Sequence, residues 1–383
     1  MKKHLKNTVY ISFITLALLF CLEIILGLVI KKRERSRFEE RIAYNLESGA
    51  YPHKDIGEIK KMFEELYNGI DVQWEPYVHQ RIKPYNGKYI TIYDDLTRKT
   101  TNFYTDTDSV FNIFMFGGST IWGTGARNDY TIPSHLFKII DADSTLPQVK
   151  ITNYGGWGYV RNQESILLQQ ELLKGNIPDL VVFYDGVNDV VSSTLYETTG
   201  LPQNIEHRKQ EFNIHIKRDK LFKMVWKSSY IYRTIVALKR RSVSPKQISE
   251  DRLNELGQEV VKHYQNNLTI TEALSKKYNF KTLNYWQPVV YVRENSSEYD
   301  LNYQTQNMFY APLFKKTYQK IDANQDLNKQ KNFRNLSAYL DDGNQYYIDF
   351  CHVSEKANEL IAKEMYKDIR ALLISNTLAN EHQ

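Results

Sequence analysis

The sequence contains little cysteine, no internal repeats and only a small excess of positive charge. Its two cysteines are Cys21 and Cys351, and Cys21 lies in an apolar segment, so neither a disulfide framework nor a thiolate metal site is available. A net charge of +5 gives no sign of nucleic-acid binding. The histidines lack the spacing of metal ligands. We therefore expect no cofactor, no metal and no nucleic-acid partner.

The longest apolar run covers residues 8–30, TVYISFITLALLFCLEIILGLVI, and contains a single acid, Glu23. As a helix it is long enough to cross a hydrocarbon core of about 30 Å. Lys2, Lys3 and Lys6 precede it, which is also typical of a cleaved signal peptide. The run is longer than a typical signal core and lacks a small-x-small cleavage pattern, so we predict a single-pass, uncleaved membrane anchor.

The charges beside this anchor give a weak indication of its orientation. Five basic residues follow the anchor and outweigh the leading lysines: Lys31, Lys32, Arg33, Arg35 and Arg37. Read alone, the positive-inside rule places the large domain in the cytoplasm. Both flanks are basic, however, which weakens the argument.

Downstream, strand and helix patterns alternate, after a lead-in at 31–105. The predicted strands are 111–116, 149–153, 179–184 and 281–286, and the predicted helices are 129–140, 162–174 and 354–373, the last capped by Ser354. This order predicts an α/β fold, a three-layer α/β/α sandwich with a parallel, flavodoxin-like sheet of about five strands. We assign the main domain to 106–376, with an insertion at about 190–275. In such sheets, functional residues lie beyond the carboxyl ends of the strands.

Four short polar blocks stand at the expected places. Ser119 lies in Gly-Gly-Ser-Thr after the first strand, Gly155 in Asn-Tyr-Gly-Gly-Trp-Gly after the second, and Asn188 in Asp-Gly-Val-Asn-Asp after the third. Asp349 and His352 precede the last helix. Each block alone has an ordinary structural explanation. The Ser119 block is explained by a glycine-rich or phosphate-binding turn, and the Gly155 block by a tight loop. The Asn188 block is explained by a turn stabilised by Asn and Asp side chains, and Asp349 with His352 by an incidental loop pair.

Together these blocks resemble the SGNH hydrolases, also called the GDSL family, over roughly residues 110–200 and 280–375. The resemblance implies an acyl-enzyme on Ser119, with His352 as the base and Asp349 as its orienting carboxylate. It also implies an oxyanion hole formed by the Ser119 and Gly155 N–H groups and the Asn188 side chain. Where the family motif has Asp, this chain has Gly118.

The stretch FMFGGSTIWGTGARNDYTIPSHL also looks like membrane-anchored bacterial members associated with surface polysaccharides. We therefore expect a membrane-anchored serine esterase that removes O-acyl groups, chiefly O-acetyl, from a cell-surface glycan. This implies a catalytic domain facing the periplasm or the exterior, contrary to the charge indication. Transfer of the acyl group to such a glycan is an alternative that uses the same residues, and a non-catalytic envelope scaffold is another.

Two further features have competing interpretations. Residues 205–246 carry twelve Lys or Arg against three acids, interleaved with aromatic residues. They are expected either to contact anionic glycan or lipid head groups or to form a solvated helical face. Cys351 stands beside His352, but Ser119 is available and no basic cluster surrounds the cysteine, so a packed thiol is the preferred interpretation.

Overall fold

The structure is a computed structural model, and it describes residues 2–52, 55–102, 110–216, 226–241, 247–306 and 308–381. The chain divides into two compact units. One consists of Met1–Tyr44 with Glu206–Gln247, and the other of Asn45–Ile205 with Ile248–Gln383. The predicted boundary between 105 and 106 lies outside the described residues. Helical residues at both ends of the predicted insertion, 190–275, belong to the larger unit.

The larger unit is built on a five-stranded parallel sheet. Its strands are β5 (Phe111–Gly117), β6 (Val149–Asn153), β7 (Leu180–Asp185), β8 (Lys281–Trp286) and β9 (Phe333–Asn335). They lie in the order β6-β5-β7-β8-β9, which is the flavodoxin-like order 2-1-3-4-5. The predicted fold class is confirmed. The fifth strand was not located from the sequence because it has only three residues.

Helices cover the sheet and connect its strands. They are α3 (Ser119–Trp122), α4 (Ile132–Asp141), α5 (Arg161–Leu173), α6 (Val187–Tyr196), α9 (Glu250–Tyr278), α10 (Glu298–Gln306), α11 (Ala311–Ala323), α12 (Gln325–Asn328) and α13 (Glu355–Glu381). Helix α13 packs against α4, whereas α9 packs against α5, α6 and α11. Phe116 and Phe183 of the sheet form one core with Leu167 and Leu168 of α5. These two helix groups account for the outer layers of the sandwich.

Two helices differ in how their N-terminal ends are capped. Helix α4 starts after Thr131, whose hydroxyl accepts the Ser134 N–H at 3.3 Å, and Pro133 lies in its first turn. Ser354 occupies the predicted capping position of α13, because its carbonyl oxygen accepts the Asn358 N–H at 3.0 Å. Its buried hydroxyl has no hydrogen-bond partner in the described parts of the chain, so the side chain itself does not cap the helix.

The lead-in contributes structure of its own to the larger unit. It contains helix α2 (Ile56–Asn68) and two short antiparallel pairs, β1 (Val72–Gln73) with β2 (Arg81–Ile82) and β3 (Tyr85–Asn86) with β4 (Thr91–Ile92). One face of α2 is buried, as its apolar spacing requires. This part of the lead-in is thus an integral layer of the unit.

The smaller unit contains most of helix α1 (Lys2–Glu47) with helices α7 (Ile205–Ile216) and α8 (Tyr230–Arg241). Helix α1 is long and apolar enough to cross a membrane. The Glu23 carboxylate accepts the backbone N–H groups of Tyr230 and Ile231 at 2.5 and 3.0 Å. The single acid of the apolar run therefore caps a second helix. Residues 217–225 and 242–246 of the predicted basic segment lie outside the described residues.

Candidate active site

Ser119 occupies the turn between the central strand β5 and the short helix α3. It is the first residue of that helix, so its N–H has no intrahelical acceptor. The glycines before it are required by close contacts. A Cβ on Gly117 would lie 2.4 Å from the Tyr184 carbonyl oxygen, and one on Gly118 would lie 2.2 Å from Asn188 Nδ2. The turn can therefore present the serine hydroxyl only with small residues in front of it.

Asp349 and His352 lie in the loop before α13 and face the serine. The distance from His352 Nε2 to Ser119 Oγ is 2.6 Å, and that from His352 Nδ1 to Asp349 Oδ2 is 2.7 Å. The other Asp349 oxygen accepts the backbone N–H groups of Cys351 and His352 at 2.9 and 2.8 Å. The carboxylate is thus fixed by its own loop. The structure brings the three residues together across 233 positions of sequence.

Asn188 lies at the start of α6, next to the serine turn. Its Nδ2 donates to the Tyr159 carbonyl oxygen at 2.8 Å, and its Oδ1 accepts the Gln203 side-chain amide at 2.9 Å. These two bonds fix the orientation of the amide and leave its second N–H available. The amide nitrogen occupies the space that a side chain at position 118 would need. Gly118 and Asn188 therefore fit each other, which gives the departure from the family motif a structural reason.

Gly155 follows β6 and lies against helix α3. A Cβ there would come within 2.3 Å of the Trp122 backbone nitrogen. The family resemblance predicted a donor free for an oxyanion, but the Gly155 N–H donates to Asn153 Oδ1 at 2.9 Å. Asn153 in turn donates to the Ile121 carbonyl oxygen at 2.9 Å. The glycine backbone is adjacent to the site, with its N–H already in a hydrogen bond.

Arg98, which sequence reasoning missed, supports the segment after Ser119. Its guanidinium is buried and donates to the carbonyl oxygens of Trp122, Gly123 and Ala126 at 2.8, 2.6 and 2.5 Å. Burial lowers the pKa of Arg98 to about 9, which reflects the cost of placing its charge among neutral carbonyl groups. Arg98 comes from the lead-in, where nothing in the local pattern distinguishes it from a surface arginine.

A buried ion pair joins the two halves of the site and was also missed. The Arg127 side chain donates to Glu355 through Nε at 2.9 Å and through a terminal nitrogen at 2.7 Å. The Arg127 backbone N–H donates to the same carboxylate at 2.9 Å. Glu355 is three residues after His352, and Arg127 ends the loop that follows Ser119. The pair therefore holds the serine and histidine segments at a fixed separation.

Charged groups are also buried behind Asn188. Arg161 donates to Asp185 at 2.8 Å, and both side chains are almost fully buried. The Asp189 carboxylate accepts the Arg161 backbone N–H at 3.2 and 3.3 Å. Burial and the neighbouring Asp185 raise the pKa of Asp189 to about 7. Burial and the same Asp185 hold the pKa of the nearby Glu164 well above its usual range.

Within the described ranges, one group of potential metal ligands lies in this site. The ligand atoms of Asp349, Cys351 and His352 are within 4.8 Å of one another. Both imidazole nitrogens of His352 are already in contact with side chains, Nδ1 with Asp349 and Nε2 with Ser119. The Cys351 side chain is buried, with its sulfur 3.7 Å from His352 Nδ1. The arrangement is that of a hydrogen-bonded Ser-His-Asp chain, and no metal role is assigned to it.

No protein-family model and no curated protein matches the chain, whereas several solved structures are similar to it. A lipolytic G-D-S-L family member from Veillonella parvula matches at 10% identity over 67% of this chain and 97% of that one, with a TM-score of 0.35. A lipase/acylhydrolase from Enterococcus faecalis matches at 14% identity over 69% and 97%, also with a TM-score of 0.35. An acetyl-xylooligosaccharide esterase from Geobacillus matches at 11% identity over 69% and 96%, with a TM-score of 0.38.

Proposed function

We propose that this protein is a serine esterase whose nucleophile is Ser119. The observation that carries the proposal is the continuous hydrogen-bonded chain from Ser119 Oγ through the His352 imidazole to Asp349, with contacts of 2.6 and 2.7 Å. This is the geometry that a serine needs for activation, because the base must reach the hydroxyl and a third group must orient the base.

The reaction then follows from these positions. Ser119 Oγ attacks the ester carbonyl carbon while His352 Nε2 takes the hydroxyl proton. Asp349 keeps the imidazole in the required tautomer and stabilises its charged form. The imidazolium next protonates the departing alcohol oxygen, which leaves the acyl group on Ser119. Water, deprotonated by the same imidazole, hydrolyses the acyl-enzyme and restores the serine.

The developing oxyanion requires preorganised donors. Two are available at the turn: the Ser119 N–H at the helix start and the second N–H of the Asn188 amide. Gly155 can serve as a third donor only by sharing or releasing its hydrogen bond to Asn153. We therefore assign the larger share of oxyanion stabilisation to Ser119 and Asn188.

The substrate we propose is an O-acylated, chiefly O-acetylated, cell-surface glycan. The apolar stretch of α1 supports attachment to a membrane as a single-pass anchor. The sequence resemblance to membrane-anchored bacterial hydrolases supports the glycan and a periplasmic or extracellular catalytic unit. Acyl transfer to a glycan hydroxyl remains the second candidate, because a sugar hydroxyl could replace water in the second half-reaction.

Hydrolysis of 4-nitrophenyl acetate by the full chain in detergent tests the proposal. Ser119→Ala or His352→Ala should lower kcat by about 10⁴–10⁶-fold. Asn188→Ala should lower it by about 10²–10³-fold. Undiminished hydrolysis by pure Ser119→Ala would remove the assignment and favour a non-catalytic scaffold. With an acetylated sugar as donor, free acetate identifies a hydrolase, whereas acetate found on an added oligosaccharide identifies a transferase.

A further inference from the structure

A separate cavity of about 310 Å³ lies beside the candidate active site. Its lining combines one large aromatic face with several side-chain amides and contains no ionisable side chain. The lining residues are Gln80, Trp157, Gly158, Gln163, Gln203 and Asn204. A volume of this size is at the lower end of the range for small-molecule sites. The lining suggests a ligand that is neutral and rich in hydrogen-bonding groups.

Two contacts connect this cavity to the reacting centre. Gln203 donates its side-chain amide to Asn188 Oδ1 at 2.9 Å, and the other end of the Asn188 amide lies against Gly118, the residue before the serine. On the opposite wall, the Trp157 ring meets the Trp122 ring of the nucleophile helix with centroids 5.1 Å apart. Two side chains, Gln203 and then Asn188, therefore link the cavity to the serine turn.

The amides of the cavity are held in place by one another. Asn204 Nδ2 donates to Gln80 Oε1 at 2.7 Å, and Gln80 Nε2 donates to the Trp157 carbonyl oxygen at 3.0 Å. These bonds use one donor of each amide. Each –NH₂ group keeps a second hydrogen, and no further hydrogen bond of Asn204 Oδ1 or Gln203 Oε1 lies within the described chain. The cavity thus offers fixed donors and acceptors in alternation.

We propose that this cavity is a subsite for a neutral sugar ring of the ester substrate, a proposal that rests on the esterase function above. Sugar hydroxyls both donate and accept hydrogen bonds, which matches amide side chains, and the C–H face of a pyranose can pack on the Trp157 ring. A uronate ring would bring a charge into a cavity without a cation. An acyl chain would remove water from these half-buried amides without offering them hydrogen bonds in return, which is unfavourable.

The test compares a substrate that reaches the subsite with one that does not. In Gln80→Ala and Asn204→Ala, kcat/KM for an acetylated xylo-oligosaccharide should fall about tenfold, chiefly through KM, because each change removes a hydrogen-bonding partner. Hydrolysis of 4-nitrophenyl acetate should not change. Neither residue touches the triad or Asn188. Gln258, an exposed glutamine on α9, provides the matched control: Gln258→Ala should leave kcat/KM unchanged for both substrates.

A binding measurement separates failure of the subsite from failure of the esterase. Unacetylated xylo-oligosaccharide should bind Ser119→Ala by calorimetry, and adding Asn204→Ala should weaken that binding about tenfold. Equal losses of kcat/KM on both substrates, or no loss on either, would overturn the subsite. Binding of an oligogalacturonate as tight as that of the xylo-oligosaccharide would overturn it as well. If Ser119-dependent turnover is absent altogether but xylo-oligosaccharide still binds through Asn204, the esterase fails and the sugar site stands.

Discussion

The buried Arg127–Glu355 pair allows a sharp prediction, because the same arginine also makes an exposed pair. Its contact with Glu355 is buried, with 9% and 7% of the two side chains exposed. Its contact with Glu58, at 2.8 Å, involves a carboxylate that is 51% exposed. Removing the charge from each glutamate in turn therefore compares a buried contact of three hydrogen bonds with an exposed contact of one, on the same arginine.

The expected loss of folding stability differs strongly between the two variants. Breaking a buried pair from one side costs about 3–5 kcal/mol, because it leaves an uncompensated buried charge. An exposed pair contributes about 0–1 kcal/mol. Burial alone would lower the pKa of Arg127, yet the hydrogen bonds and charge of Glu355 raise it above its usual range, so the arginine depends on this partner. Burial also raises the pKa of Glu355, and Arg127 only partly offsets that rise.

We therefore expect Glu355→Gln to lower the melting temperature by roughly 10 °C and Glu58→Gln by no more than about 3 °C, measured by circular dichroism on the full chain in detergent. Glu355→Gln should also lower kcat by as much as ~10²-fold, because the pair sets the separation of the Ser119 and His352 segments. Equal melting shifts in the two variants would refute the burial argument. A large melting shift with an unchanged kcat would refute the positioning argument.

Three further predictions concern single side chains near the site. Gly118→Asp, which introduces the residue found in the motif of the family that the sequence resembles, should lower kcat for 4-nitrophenyl acetate about 10²-fold with little change in melting temperature, because its Cβ displaces the Asn188 amide. An unchanged kcat would contradict this. Since the pKa of Asp189 is raised to about 7, the folded state holds a proton that the unfolded chain releases near pH 4. Stability should therefore fall by about 1.4 kcal/mol between pH 6 and 8 in urea unfolding, and Asp189→Asn should flatten that slope. Cys351→Ala should retain near-normal kcat, and a loss comparable to that in Ser119→Ala would make the thiol the nucleophile.

The parts of the fold that the sequence predicted are those with local periodicity. The bounds of β6 and β8 agree with the predicted strands 149–153 and 281–286, because each is a short run ended by residues that cannot continue it. The segments of the proposed triad were indicated by their resemblance to a known hydrolase family, and their expected place was the edge of the sheet where parallel strands have their carboxyl ends.

The supporting contacts of the site could not be predicted in this way. Arg127 and Glu355 are separated by 228 positions, and neither lies in a pattern that specifies a buried charge. The hydrogen bond that occupies the Gly155 N–H depends on the rotamer of Asn153, which no sequence motif fixes. Strand β9 has three residues, fewer than a period-two pattern needs to be recognised. In each case the missing information lies in the tertiary structure, which local sequence patterns do not specify.

The lead-in is the part of the chain whose role changes most between sequence and structure. The sequence gives no role to this segment, yet two of its residues donate to the segment after Ser119: Arg98 to the Trp122 carbonyl oxygen at 2.8 Å, and Tyr51 to the Gly125 carbonyl oxygen at 2.6 Å. Gly123 and Gly125 have positive φ angles of 95° and 83°, so this loop has few local restraints of its own. Side chains from outside the α/β core therefore restrain the segment that carries Ser119. A chain shortened to the predicted domain, 106–376, would keep all three residues of the proposed triad and lose the contacts that hold the serine segment in place.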